Sequence, residues 1–217
     1  MKALCVLASG EGTNLQAILD ACASGELRAR VALVGSDRPG ARALERAAAA
    51  RVPTVVSRPK DHASREAHDA VFVEAAAAHG AEVVVLAGYM RLVTRTLLDA
   101  FPDRVVNVHP ALLPAFPGTD GLGDALAHGA TIAGTTVHLV DAGVDTGPIL
   151  AQAAVPIVDG DTKATLAARV RPLEHALLLR ALGWLVEGRV TVTREEGRRP
   201  RVRVEGVAAR GVLALDA

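Results

Sequence analysis

Short apolar runs and longer amphipathic stretches alternate along most of this chain, and that alternation constrains the fold more than any other feature. The apolar runs fall at residues 3–8, 31–35, 53–56, 83–87, 105–108, 135–140 and 153–158. Helical periodicity appears at 14–23, 41–51, 64–79, 95–100, 122–127 and 163–187. A strand that is apolar throughout must be covered on both faces, and intervening helices supply the cover. A strand that returns after a helix runs parallel to its predecessor. The pattern therefore predicts an α/β fold, a doubly wound and mostly parallel sheet. The tail differs. Residues 189–193 and 201–204 alternate polar and apolar side chains, which predicts a small C-terminal antiparallel extension turning at 196–199, with the last dozen residues loose. We expect one domain over residues 1–188 and a peripheral extension of it over 189–217.

Composition narrows the function. Half of the 217 residues are hydrophobic, enough for a sizeable core, and 24 basic residues balance 24 acidic ones. A general nucleic-acid binder would carry a basic excess. No run reaches the roughly 20 apolar residues that span a bilayer, and the start lacks the order of a secretion signal. Cys5 and Cys22 are too few for a disulfide framework or zinc site and read as inert core thiols of a reducing cytoplasm. The histidines lack the spacing of a metal-ligand set, so no metal is expected. His62, His68, His79 and His128 read as surface positions. His138, inside the sixth strand, reads as support for a site. The absence of a G-x-S-x-G elbow argues against an acyl-enzyme hydrolase.

In open α/β sheets ligands collect at the carboxyl ends of the strands. The first strand runs into Ser9-Gly10-Glu11-Gly12-Thr13-Asn14-Leu15. Glycines allow a tight turn, and a following helix offers free N–H groups to a phosphate. The plain alternative is a strand-to-helix turn capped by Thr13 or Asn14. A Rossmann-like dinucleotide fingerprint would need a third glycine where Leu15 stands, although Asp37 could serve as its ribose acid. The fifth strand ends in Asn107-Val108-His109-Pro110. Residues two apart share a face, so Asn107 and His109 could together hold an oxygen that becomes an oxyanion. After the sixth strand comes Asp141-Ala142-Gly143-Val144-Asp145-Thr146-Gly147-Pro148. Its carboxylates are either solvated turn residues or, for one of them, a partner of His109, favouring the imidazolium form.

Four segments, Ser9-Gly10-x-Gly12-Thr13-Asn14-Leu15-Gln16, Leu86-Ala87-Gly88-Tyr89-Met90-Arg91, Asn107-x-His109-Pro110-x-Leu112-Leu113-Pro114 and Asp145-x-Gly147-Pro148, occur in this order. Taken together the chain resembles the phosphoribosylglycinamide formyltransferases from about residue 2 to about residue 184. The resemblance implies transfer of a formyl group from 10-formyltetrahydrofolate, a co-substrate, to the amine of phosphoribosylglycinamide. It implies His109 as catalytic acid, Asn107 on the formyl oxygen and Asp145 keeping His109 protonated. It places the ribonucleotide on Gly12, Thr13, Asn14 and Glu174; Arg171 departs from the polar uncharged residue expected near Glu174 and would add a phosphate contact. It places the folate on Arg65, Met90, Arg91, Leu92, Val93, Asn107, Asp141, Ala142, Gly143, Val144 and Asp145, with Arg65 toward the glutamate tail. Small-molecule partners, neither nucleic acid nor membrane, a cytoplasmic location and a monomer or homodimer follow.

One stretch departs from the family. After Phe116-Pro117-Gly118, where histidines are common, Thr119-Asp120-Gly121-Leu122 stands, and no catalytic role is assigned there. Two related enzymes are alternatives. Methionyl-tRNA formyltransferase would need a basic C-terminal β-domain, and formyltetrahydrofolate deformylase an N-terminal regulatory domain. A non-catalytic nucleotide-binding module is the alternative from another class, and it leaves Asn107, His109 and Asp145 without a task.

Overall fold

The computed structural model describes residues 1–213, and Leu213 by its backbone alone. It divides into two compact units, Met1–Asn107 and Val108 onward. In the first unit, β1 (Lys2–Leu7), β2 (Ala29–Ser36), β3 (Thr54–Val56), β4 (Val83–Leu86) and the start of β5 (Val105–His109) pair in the order β5-β4-β1-β2-β3, all parallel. The connections carry α1 (Thr13–Ser24), α2 (Arg42–Ala49), α3 (Arg65–Ala78) and α4 (Arg95–Ala100). Leu4, Cys5, Val6 and Leu7 are fully buried, as a strand covered on both faces requires.

Helix α3 starts where Ser64 Oγ accepts the Ala67 N–H at 3.1 Å, satisfying one of the amides that a first turn leaves open. It seats Phe72, 1% exposed, against the sheet. Gly35 of β2 makes that possible. A Cβ there would sit 2.5 Å from Leu7 Cδ2 and 2.9 Å from the Phe72 ring.

The second unit contains the last residues of β5, then α5 (Gly121–Ala127), β6 (Ile132–Leu139), β7 (Ile149–Pro156) and the long α6 (Lys163–Val186). β6 and β7 pair antiparallel. A reciprocal Thr162/Thr165 capping box starts α6, which buries Leu166 and Val170 against Leu122, Ala133 and Val155. The expected hairpin is present: β8 (Val190–Thr193) pairs antiparallel with β9 (Arg201–Val204).

The sheet is mostly parallel and flanked by helices, a Rossmann-like α/β fold with a small antiparallel sheet, as the alternation predicts. Two details differ. β7 starts at Ile149, four residues before the expected position, because β6 pairs with its first residues too, Ile149 opposite His138 across a register shift. The last dozen residues are not uniformly loose, since β10 (Gly211–Leu213) adds to β7 in parallel; residues 214–217 lie outside the described residues. Among the described residues no helix is long and apolar enough to cross a membrane.

Candidate active site

His109 ends β5 and is 4% exposed. Its Nε2 lies 2.9 Å from the Phe116 carbonyl oxygen. A carbonyl only accepts, so this nitrogen carries a hydrogen and donates. The Nδ1 atom faces Asp145 Oδ2 at 3.6 Å. The other oxygen, Oδ1, lies 3.6 Å from Nε2 of His138, a buried residue of β6. The His138 Nδ1 donates to Leu139 O at 2.9 Å, which fixes that ring's orientation. One carboxylate thus stands between two imidazoles, and the Gly118 N–H donates to its Oδ2 at 2.8 Å. Burial alone would raise the Asp145 carboxyl. The His138 ring, the Gly118 N–H and the charge of the two imidazoles outweigh burial and hold it below the usual carboxylate range. Of the two readings of the acidic loop, the structure supports the partner of His109 for Asp145.

Asp141 is the turn residue. Its Oδ1 accepts from the Gly143 N–H at 3.0 Å and the Thr146 hydroxyl at 2.6 Å, the local closure that Asp provides in turns. A side chain at Gly143 would collide with Thr146, and one at Gly147 with the Leu139 carbonyl. Asp145 itself has φ +52°, a left-handed conformation that Asp and Asn tolerate better than most residues.

The departing stretch has a structural explanation. Asp120 caps α5, accepting the Gly123 N–H at 3.1 Å, and pairs with Lys163 at 2.7 Å. A Cβ at Gly121 would lie 2.7 Å from the Pro110 oxygen, 2.8 Å from Ala111 Cβ and 3.2 Å from His109 Nε2. Position 121 forms part of the wall around the histidine and has no room for a side chain.

The glycine turn lies in the first unit. Gly12 caps α1 with φ +69° and makes no side-chain cap bond, so neither Thr13 nor Asn14 caps the helix as its plain reading expected. A Cβ at Gly12 would sit 2.8 Å from Ala43. Close approach of α2, together with the backbone angle, therefore requires this glycine. Gly10 O accepts the Ala43 N–H, and Arg46 Nε donates to Glu11 O at 2.8 Å, bracing the turn from α2.

The segment after β4 is irregular and tightly held. Met90 N–H donates to Ser9 Oγ at 2.9 Å, and Arg65 Nη2 donates to Leu92 O at 2.7 Å. Arg91 Nε donates at 3.1 Å to Asp37, whose side chain is fully buried. The Arg91 guanidinium is thus turned onto protein, while Met90 and Leu92 are 59% and 55% exposed and Val93 is buried. Asn107 pairs in register with Leu86 and is half-buried, two residues before His109. Arg171 and Glu174 lie three residues apart on α6, Arg171 exposed and Glu174 half-buried.

His68 corrects the surface expectation. It is 5% exposed, its Nε2 donates to Ser57 O at 2.9 Å, and its ring meets Phe72 edge-on at 5.1 Å. Asp69 and Asp37 were not singled out for this segment from sequence. The one signal for Asp69 is its i,i+4 spacing from Arg65 on a helix.

Residues 2–182 match the family model described as Formyl transferase, and the chain belongs to that family. Within it, similar proteins include phosphoribosylglycinamide formyltransferases. The one from Mycobacterium tuberculosis H37Rv is 52% identical over 189 residues, 87% of each chain. That from Bacillus subtilis is 43% identical over 175 residues, 81% of this chain and 90% of the other. The crystal structure of glycinamide ribonucleotide transformylase 1 from Symbiobacterium toebii superposes with a TM-score of 0.89 at 50% identity, covering 94% of both chains.

Proposed function

We propose that this protein transfers the formyl group of 10-formyltetrahydrofolate to the amine of phosphoribosylglycinamide, giving the formylated ribonucleotide and tetrahydrofolate. The observation that carries the reading is the Asp145 carboxylate set between His109 and His138, with Asn107 two residues before His109 on one strand. The amine is already a nucleophile, so no covalent enzyme intermediate is needed. The protein positions two substrates and stabilises the tetrahedral oxyanion.

In this reading the Asn107 amide and the Nε2–H of His109, released from the Phe116 carbonyl, donate to the formyl oxygen as it turns negative. Asp145 stabilises the positive charge on His109 and orients its ring. The amine proton then passes to the departing folate nitrogen through a water held near His109 and Asp145. The first-turn amides of α1, at Gly12, Thr13 and Asn14, hold the substrate phosphate, with Arg171 and Glu174 serving the ribonucleotide. The peptide groups of Met90, Arg91, Leu92 and Val93 and of Asp141, Ala142, Gly143, Val144 and Asp145 read the folate, and Arg65 meets its glutamate tail.

The test is formyl transfer with both substrates, followed by product and formate. Formylated ribonucleotide is expected, and His109→Ala is expected to lower turnover by about 100- to 1,000-fold, the usual effect of losing one oxyanion donor. Release of formate without formylated product would identify a deformylase instead. Wild-type turnover in His109→Ala would remove that residue from the chemistry.

A further inference from the structure

The segment of residues 90–94 is neither helix nor strand, yet it is fixed from several directions. Ser9 Oγ takes the Met90 N–H, and buried Asp37 takes the Arg91 guanidinium. Arg65 Nη2 gives to the Leu92 carbonyl, and Asp69 Oδ2 accepts the Thr94 N–H at 2.6 Å. Arg65 and Asp69 are one turn apart on α3 and so present one face of the helix. That face grips a carbonyl and an amide two residues apart on the same strip of backbone. Asp69 is 2% exposed, and its second oxygen lies 3.4 Å from His68 Nδ1. Burying a carboxylate is costly unless it is hydrogen-bonded, and here its close acceptor contact is to this irregular segment.

The clamp leaves a specific remainder. The Met90 carbonyl and the Arg91 and Leu92 amides have no described hydrogen bond, and the Met90 and Leu92 side chains stand exposed. Peptide donors and acceptors held at fixed spacing on rigid backbone suit the edge of a planar heterocycle. A segment free to rotate would first have to be ordered by the ligand, which weakens binding.

We propose that Asp69 is a positioning residue for folate recognition: from α3, together with Arg65, it locks residues 90–94 in the conformation that presents those open peptide groups to the pterin. This rests on the reading above that the segment contacts folate. Asp69 does not touch the reacting atoms and acts through the Thr94 amide.

The experiment compares wild type, Asp69→Ala and Asp69→Asn by amide hydrogen exchange of residues 90–95 without ligand, and by steady-state kinetics with each substrate varied. In Asp69→Ala the segment is expected to exchange faster. The KM for 10-formyltetrahydrofolate is expected to rise about 10- to 100-fold, the range for a hydrogen bond to a charged group. The ribonucleotide KM and the turnover at saturating folate stay near wild type. Asp69→Asn keeps an acceptor oxygen and restores part of the effect, which mere helix destabilisation would not do. Unchanged exchange in Asp69→Ala overturns the clamp. Faster exchange with an unchanged folate KM leaves the clamp standing and overturns the assignment of this segment to folate. If the Asp69 variants fail to fold, Arg65→Ala removes the other jaw from an exposed position, and its exchange without ligand decides the same question.

Discussion

Replacing Asp145 by Asn is the most informative single change at the candidate site. Asn tolerates the left-handed backbone at this position, φ +52°, and keeps an oxygen that can accept the Gly118 N–H. The substitution therefore removes the charge and little else. Opposite unit charges separated by 3.6 Å, the Nδ1–Oδ2 distance to His109, attract by about 4–5 kcal/mol at an effective dielectric constant of about 20. The Asp145 side chain is only 12% exposed, so solvent screens this attraction little. If that attraction acts on the charged ring in the transition state, its loss lowers turnover by about three orders of magnitude at 1.36 kcal/mol per tenfold. The ribonucleotide KM changes little, because the glycine turn is untouched. Stability carries a second signature. The carboxyl is held below its ordinary value, so its contribution is fully present above the unfolded value near about 3.9. That contribution is lost as pH falls through the lowered native value. The gap in urea midpoint between wild type and Asp145→Asn should be full at neutral pH and close in acid below about pH 3.9. Stopped-flow or steady-state formyl transfer at neutral pH decides the kinetic part. Turnover indistinguishable from wild type would refute the electrostatic argument, whatever the stability result.

Two further outcomes test the surroundings. Gly121→Ala puts a methyl against the Pro110 carbonyl and His109 Nε2 and should destabilise by about 1–3 kcal/mol, the usual range for overpacking, with reduced turnover. Wild-type stability and kinetics would mean that this wall yields without moving the histidine. Phe72→Ala empties a position 1% exposed, between the sheet and the His68 and Tyr89 rings. Denaturant titration should show a loss of about 3–5 kcal/mol, and a loss well under 1 kcal/mol would show that α3 collapses into the space.

The sequence by itself determined a great deal here. Apolar runs separated by helical periodicity are local patterns, and they led to the α/β class and to the strand ends where Asn107, His109 and Asp145 fall. Period-two spacing along β5 predicts one face for Asn107 and His109. The tail hairpin was legible because β8 and β9 are adjacent in sequence and alternate cleanly. Tertiary structure alone decided what depends on distant chain segments meeting. That the acid partner is Asp145 and not Asp141 follows from which oxygen reaches His109 and His138 across three separate stretches of chain. That His68 is buried, and that Asp69 reaches the Thr94 amide 25 residues on, follows from how α3 lies on its sheet. β10 was invisible because three residues of strand acquire meaning only when an edge such as β7 accepts them. Local patterns are set by steric and hydrophobic periodicity within a few residues. Partners across long separations are chosen by packing, which no single stretch of chain encodes alone.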